Sequence, residues 1–199
     1  MVGEEKPKLI FPEGENHRFL FAGEELVLGP IGPESKGYLR EGMKHLSLES
    51  LRNRFFAGKK EFSPEELESL TKLDGKDRFA LGIIRDLRDA HGIGLIRMNR
   101  DRNDHGSAEV ALTIIDEYQR KGLGTILIKT MILAALERGV THLNFTYLHQ
   151  NEGIERLLKR FSPLRLLAKD QDSKTVSLDL GKWNKENLRR ELRPYLPGI

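Results

Sequence analysis

The chain has 199 residues, 38% of them hydrophobic and 32% charged, and it contains no cysteine. This suits one domain with or without an appendage, and it excludes a disulfide framework, a cysteine-ligated zinc site, an iron–sulfur cluster and a cysteine nucleophile. With 33 basic against 30 acidic residues the net charge is only +3, too near balance to indicate a nucleic-acid partner.

No apolar run reaches the roughly 18 residues that span a bilayer, so no membrane partner is expected. The first residues, of mixed charge and without a long apolar core, do not read as a signal peptide. A soluble cytoplasmic protein is the expectation. Residues 1–25, with Pro7, Pro12, Gly14 and Gly23 among Phe11, Phe19 and Phe21, read as an irregular arm. A domain follows over 26–182, then a helix or tail over 183–199. Glu25–Ile31 reads as a strand ended by Gly29 and Pro30. Leu39, Met43, Leu46, Leu48 and Leu51 stand near helical spacing, with Ser47 as a helix start. Ser63-Pro64-Glu65-Glu66 is a cleaner start: a capping hydroxyl, a proline at the first helical position and two acids at the positive helix end.

Arg78–Ile84 and Ile93–Met98 read as strands joined by a charged loop, and Ala108–Ile115 as a central strand covered on both sides, with Glu109 its one acid. Leu123–Leu136 is an apolar helix that stops at Gly139, and such a helix belongs in a core. His142–Leu148 is a strand and Asn151–Phe161 a helix. Leu164–Ala168 and Thr175–Leu180 form a hairpin, and Lys185–Leu192 a last helix. The order predicts an α/β protein, a mixed sheet with helices on both faces.

The stretch with chemical content is Ile114-Ile115-Asp116-Glu117-Tyr118-Gln119-Arg120-Lys121-Gly122-Leu123-Gly124-Thr125. A buried strand enters a short turn that opens the long apolar helix. Gly122 and Gly124 remove side chains there, and the first amides of the helix have no acceptor within it. With the helix dipole this makes an anion site, to which Arg120 and Lys121 add charge. The phosphate-loop pattern of nucleotide hydrolases is absent, and Leu127 stands where a dinucleotide fingerprint needs its third glycine. What is present is Gln119-x-x-Gly122-x-Gly124.

This spacing resembles the pyrophosphate-binding motif (R/Q)-x-x-G-x-(G/A) of the GNAT superfamily of acetyl-CoA-dependent N-acetyltransferases. Asn151–Phe161 is similar to the next GNAT motif, in which an Asn opens a helix. Leu46–Phe56 followed by Phe62–Leu67 resembles the catalytic domain of bacterial Pat-type protein-lysine acetyltransferases, here without the domains that accompany it there. The resemblance covers about residues 26–180. It implies the GNAT fold, a mixed sheet of about six to seven strands, and acetyl-CoA as co-substrate without a metal. It further implies contact with coenzyme A through Ile114, Ile115, Gln119, Arg120, Lys121, Gly122, Leu123, Gly124, Thr125 and Asn151. The acceptor would be an amine, on a small molecule or a protein lysine; a homodimer is left open.

Glu109, ten residues before Gln119, stands at the position of the family's catalytic Glu and is the candidate general base. As the single acid in an apolar strand it is expected to be desolvated, which favours proton uptake by a carboxylate. A structural Glu paired with an Arg is the alternative for it. The amide of Ile114 or Ile115 would polarise the thioester. The Tyr that many family members carry seven residues after the motif Asn is Leu158 here, with Tyr147 and His149 as substitutes. That replacement keeps a second function open, a non-catalytic module that binds acyl-CoA.

Overall fold

The computed structural model describes residues 15–56, 59, 61–85, 91–161 and 163–199. Of the expected arm, residues 1–14 lie outside these, as does most of the loop that joins Arg78–Ile84 to Ile93–Met98. The rest of the arm departs from expectation. His17–Phe21 is a strand, β1, and turns through Ala22 and Gly23 into β2, Glu24–Pro30. Alternation explains it: His17 and Phe19 face inward while Arg18 and Leu20 face solvent.

Three short helices follow: α1 (Lys36–Met43), α2 (Leu48–Phe55) and α3 (Pro64–Thr71). Ser47 Oγ caps α2 by accepting from the Ser50 amide. Ser63 and Glu66 form a reciprocal capping box at the start of α3. Then come β3 (Arg78–Arg85), β4 (Gly92–Arg100) and β5 (Ser107–Ile114), antiparallel to one another in that order. A short 3-10 turn, Asp116–Tyr118, leads into α4, Leu123–Glu137. The remaining elements are β6 (His142–Leu148), α5 (Glu152–Lys159), β7 (Leu164–Lys169), β8 (Ser173–Asp179) and α6 (Lys185–Leu192).

All eight strands join one sheet in the order β1-β2-β3-β4-β5-β6-β8-β7. The count exceeds the expected six to seven because β1 belongs to the sheet. Every neighbouring pair is antiparallel except β5 with β6.

Side-chain alternation assigns the layers. Gly94 pairs with Ile114 in the β4–β5 ladder, and a methyl at Gly94 would lie 3.0 Å from Leu127 of α4. From Gly94 on, even-numbered residues of β4 and β5 therefore face α4, and odd-numbered residues, including Arg97 and Glu109, face the side of α1 and α2; Gly92, before a register shift, faces α1. Helix α4 is apolar nearly all round, and Leu123, Leu127, Ile128, Met131 and Ile132 are fully buried, as its sequence implies. The C-terminal segment closes the same core: Leu188, Leu192 and Leu196 are buried, Tyr195 meets Phe19 edge-on at 5.7 Å, and Trp183 lies 5.8 Å from Phe161. Truncating the centre of this core, Leu127→Ala, is expected to lower the unfolding free energy by about 3 kcal/mol, read as a lower urea midpoint at unchanged slope.

Candidate active site

The parallel pairing of β5 with β6 is short. It joins Ser107 to His142, Ala108 to Leu143 and Glu109 to Asn144, and no pair follows. Beyond these the two strands diverge, and a cleft of about 380 Å³ opens between Val110–Ile114 on one wall and Phe145–Tyr147 on the other.

The divergence leaves backbone exposed at the centre of a sheet. The Ile115 amide donates to the Ile93 carbonyl and the Asp101 amide to the Ser107 carbonyl, both at 2.9 Å. Odd-numbered residues of β5 thus bond to β4, and past the last pair the Val110 carbonyl, the Leu112 N–H and C=O and the Ile114 N–H are turned toward the cleft. Of the two amides considered for polarising a carbonyl, that of Ile115 is committed to the ladder and that of Ile114 is aimed at the cleft. The Ile114 carbonyl accepts from Gln119 Nε2 at 3.0 Å.

The turn at the end of the cleft is built as the glycines require. Gly122 has φ 107°, in the region that disfavours a side chain, and Arg120 also adopts positive φ, at 59°. Gly124 serves close approach instead: a methyl there would lie 2.7 Å from Leu157 of α5. The amides of Thr125 and Ile126 both turn back to the Gly122 carbonyl. Among the described residues, those of Arg120, Lys121, Gly122, Leu123 and Gly124 meet no acceptor. These five free N–H groups stand at the start of a fifteen-residue helix, an arrangement able to hold an anion. Arg120, Arg156 and Arg160 line the same end of the cleft, while Lys121 lies 5.3 Å from the Tyr118 ring.

Gln119 also fastens the turn to α2, donating to Ser50 Oγ at 3.0 Å, and Asp116 Oδ1 accepts from the Ser47 amide at 3.2 Å. Burial pushes the Asp116 carboxyl up, but donors at Ser47 and Ser50 outweigh that and hold it below the usual carboxylate value. The sequence shows Ser47 and Ser50 as a helix start; their second use, clamping α2 to the anion site, depends on tertiary contact.

Three other expected residues are placed as follows. Asn151 caps α5, its Oδ1 accepting from the Ile154 amide at 3.2 Å, and it also lines the cleft. Leu158 is fully buried in the core. Tyr147 lines the cleft, and burial raises its phenol above the ordinary value. His149 Nε2 lies 3.0 Å from the Asp170 carbonyl oxygen.

Glu109 corrects the sequence reading. It lies at the last paired position before the strands part and lines the cleft, but it is exposed, not desolvated within the strand. Its neighbours in β5 are apolar because they serve the α4 face; Glu109 occupies the other. It makes no ion pair within 4 Å among the described residues, so the structural pairing with an arginine is not formed either. Arg54 of α2 and Arg97 of β4 share its surroundings. Asp101 and Asp104, in the β4–β5 connection, accept from main-chain amides of their own turn.

The cleft between the diverging central strands thus has bare amides at one end and a carboxylate at the other, chemistry suited to an extended ligand with an anionic terminus. A family model described as Acetyltransferase (GNAT) domain matches residues 35–161. The chain is 30% identical over 145 residues to Acetyltransferase Pat of Mycolicibacterium smegmatis, covering 69% of this chain and 41% of that protein. It is 27% identical over 118 residues to Acetyltransferase PA5475 of Pseudomonas aeruginosa, covering 59% and 63%. The chain thus spans less than two thirds of the length of these curated relatives. The crystal structure of the GNAT domain of S. lividans PAT superposes with a TM-score of 0.74 at 21% identity, over 85% of this chain and 99% of that one. A cAMP-binding acyltransferase from Mycobacterium smegmatis superposes with a TM-score of 0.58 at 21% identity, over 88% and 52%. The chain belongs to the GNAT acetyltransferase family.

The clamp at Asp116 has a pH signature. A carboxyl held low in the folded chain adds stability above its unfolded value of about 3.9, and that stability is lost as pH falls through the folded value. Asp116→Asn is therefore expected to lower the urea midpoint at pH 7 and to converge with the unaltered chain only as pH drops from about 4 through the lower folded value. An equal gap at both pH values contradicts the assignment.

Proposed function

We propose that the chain is an acetyl-CoA-dependent N-acetyltransferase in which a primary amine attacks the thioester directly. The observation that carries this reading is the divergence of β5 from β6, which leaves the Val110 carbonyl, the Leu112 N–H and C=O and the Ile114 N–H without a strand partner beside five bare amides at the start of α4.

The donor set suits coenzyme A. Its diphosphate matches the amides of Arg120 to Gly124 and the helix dipole, with Arg120, Arg156 and Arg160 beside them. Its amide-containing arm matches an open strand edge, since each amide finds a main-chain partner there as an added strand would. Gln119 orders that edge by holding the Ile114 carbonyl, while Lys121, Thr125 and Asn151 flank the ligand path. The Ile114 amide faces the thioester oxygen as negative charge develops there, and one such donor contributes about 3 kcal/mol.

Glu109 stands at the opposite end, where the acceptor enters. An alkylammonium of pKa about 10.4 is almost wholly protonated at neutral pH, so a base must take its proton. Glu109 does so directly or through water; its exposure suits exchange with solvent. Nitrogen then attacks the carbonyl carbon, the carbon–sulfur bond breaks, and the nitrogen gives up its second proton to water. Leu158 has no proton to give the leaving thiolate. Tyr147, in the cleft and held protonated by burial, supplies one, or the thiolate leaves without it.

The second reading, a module that binds acyl-CoA and transfers nothing, draws on Leu158 alone. Release of CoA thiol in the presence of a panel of amines separates the two. Glu109→Gln is expected to lower kcat/KM for the amine by about 10²-fold or more and to flatten the acid side of its pH profile. An unchanged rate and profile sinks the role of Glu109, and thiol release with no amine tested sinks catalysis.

A further inference from the structure

The cleft that Glu109 lines also holds a cation with no ion pair among the described residues. Arg54 projects from α2 into the cleft that Glu109 also lines. Its guanidinium makes no ion pair or hydrogen bond among the described residues, and its one close aromatic contact is the ring of its own neighbour Phe55, at 5.0 Å. Arg18, Arg85, Arg100 and Arg156 all have carboxylate partners within 4 Å. Arg54 is unlike them in being both partly buried and unpaired.

A second guanidinium reinforces it. Arg97 of β4 lies on the same face as Glu109, and its side chain donates to Asn99 Oδ1 at 3.2 Å. Burial and the charge of Arg97 push the Arg54 guanidinium down to about 10, with Glu109 opposing them. Two cations thus stand against one carboxylate. A desolvated charge without a counter-ion is unfavourable, and removing it from water is repaid only by an opposite charge in good geometry. The planar fork of arginine fits a carboxylate through two parallel hydrogen bonds.

A simple cationic amine approaching Glu109 would meet two like charges. An acceptor with a negative group on the same molecule would meet complementary ones. We infer that Arg54 is a specificity-determining residue that binds a carboxylate carried beside the reacting amine, so that the acceptor class is an amino-carboxylate. The carboxylate belongs either to a small molecule or to an acidic side chain next to a lysine. This inference rests on the transferase reading above and narrows its acceptor.

The test uses the full chain with acetyl-CoA and two matched acceptor pairs: an amino acid against its carboxamide, and a lysine peptide flanked by Glu against the same peptide flanked by Gln. The expected result is a preference of at least tenfold in kcat/KM for the carboxylate-bearing member of one pair, carried mainly by KM. Which pair discriminates tells the small molecule from the protein. In Arg54→Gln the preference falls toward one, and in Arg54→Lys part of it survives; thermal melts of both variants report folding. A preference that survives Arg54→Gln, or that is absent from both pairs, overturns the inference while leaving the transferase reading standing. Should no amine be acetylated, that reading falls, and calorimetric binding of the same four compounds to the protein with CoA decides the inference by itself. Carboxylate members binding at least tenfold tighter, and only with Arg54 present, support it; equal binding overturns it.

Discussion

The structure depends on an interruption. Main-chain N–H and C=O groups at the centre of a sheet ordinarily pair with a neighbouring strand, because burying them without partners is unfavourable. Here β5 and β6 pair through three positions and then part, leaving the edge of β5 open where a sheet is normally most closed. An extended polar ligand can restore the missing ladder. Each other feature of the site holds that interruption open or supplies chemistry at one of its ends.

Packing keeps the strands apart. Helix α4 is anchored by an almost wholly apolar surface, and its first turn is pressed against α5 through Gly124 and Leu157. Gln119 holds the Ile114 carbonyl and Ser50 together, and Asp116 accepts from the amide of Ser47, the residue that caps α2. The anion site, the open edge and the helix that carries Arg54 are therefore tied into one rigid constellation, as a site that must place a thioester against an amine requires.

The two ends of the cleft use charge differently. At the α4 end, main-chain dipoles and exposed arginines present diffuse positive potential suited to phosphate. At the other stand single side chains of opposite sign, Glu109 with Arg54 and Arg97. In the transferase we propose, binding of the co-substrate belongs to the first end and selection of the acceptor to the second.

The sequence made the first end readable and the second only partly so. Ser63-Pro64, the apolar run of α4 and the pair Gly122 and Gly124 encode local constraints, which survive in one dimension. Strand β1 escaped because the glycines and prolines around it obscured a short alternation. Glu109 was found by its spacing to Gln119, yet its burial was misjudged, because apolar neighbours in a strand describe the opposite face. In the sequence Arg54 is one cation among many on a helix; that it has no ion pair among the described residues is a property of three elements together. The most direct measurement follows main-chain amide resonances during titration with CoA and with pantetheine, which lacks the diphosphate. The account predicts saturable shifts at Arg120–Thr125 and Ile114 with CoA, and with pantetheine shifts at Ile114 but not at the turn. Coenzyme A that binds while the turn stays unmoved, or that does not bind at all, would contradict it.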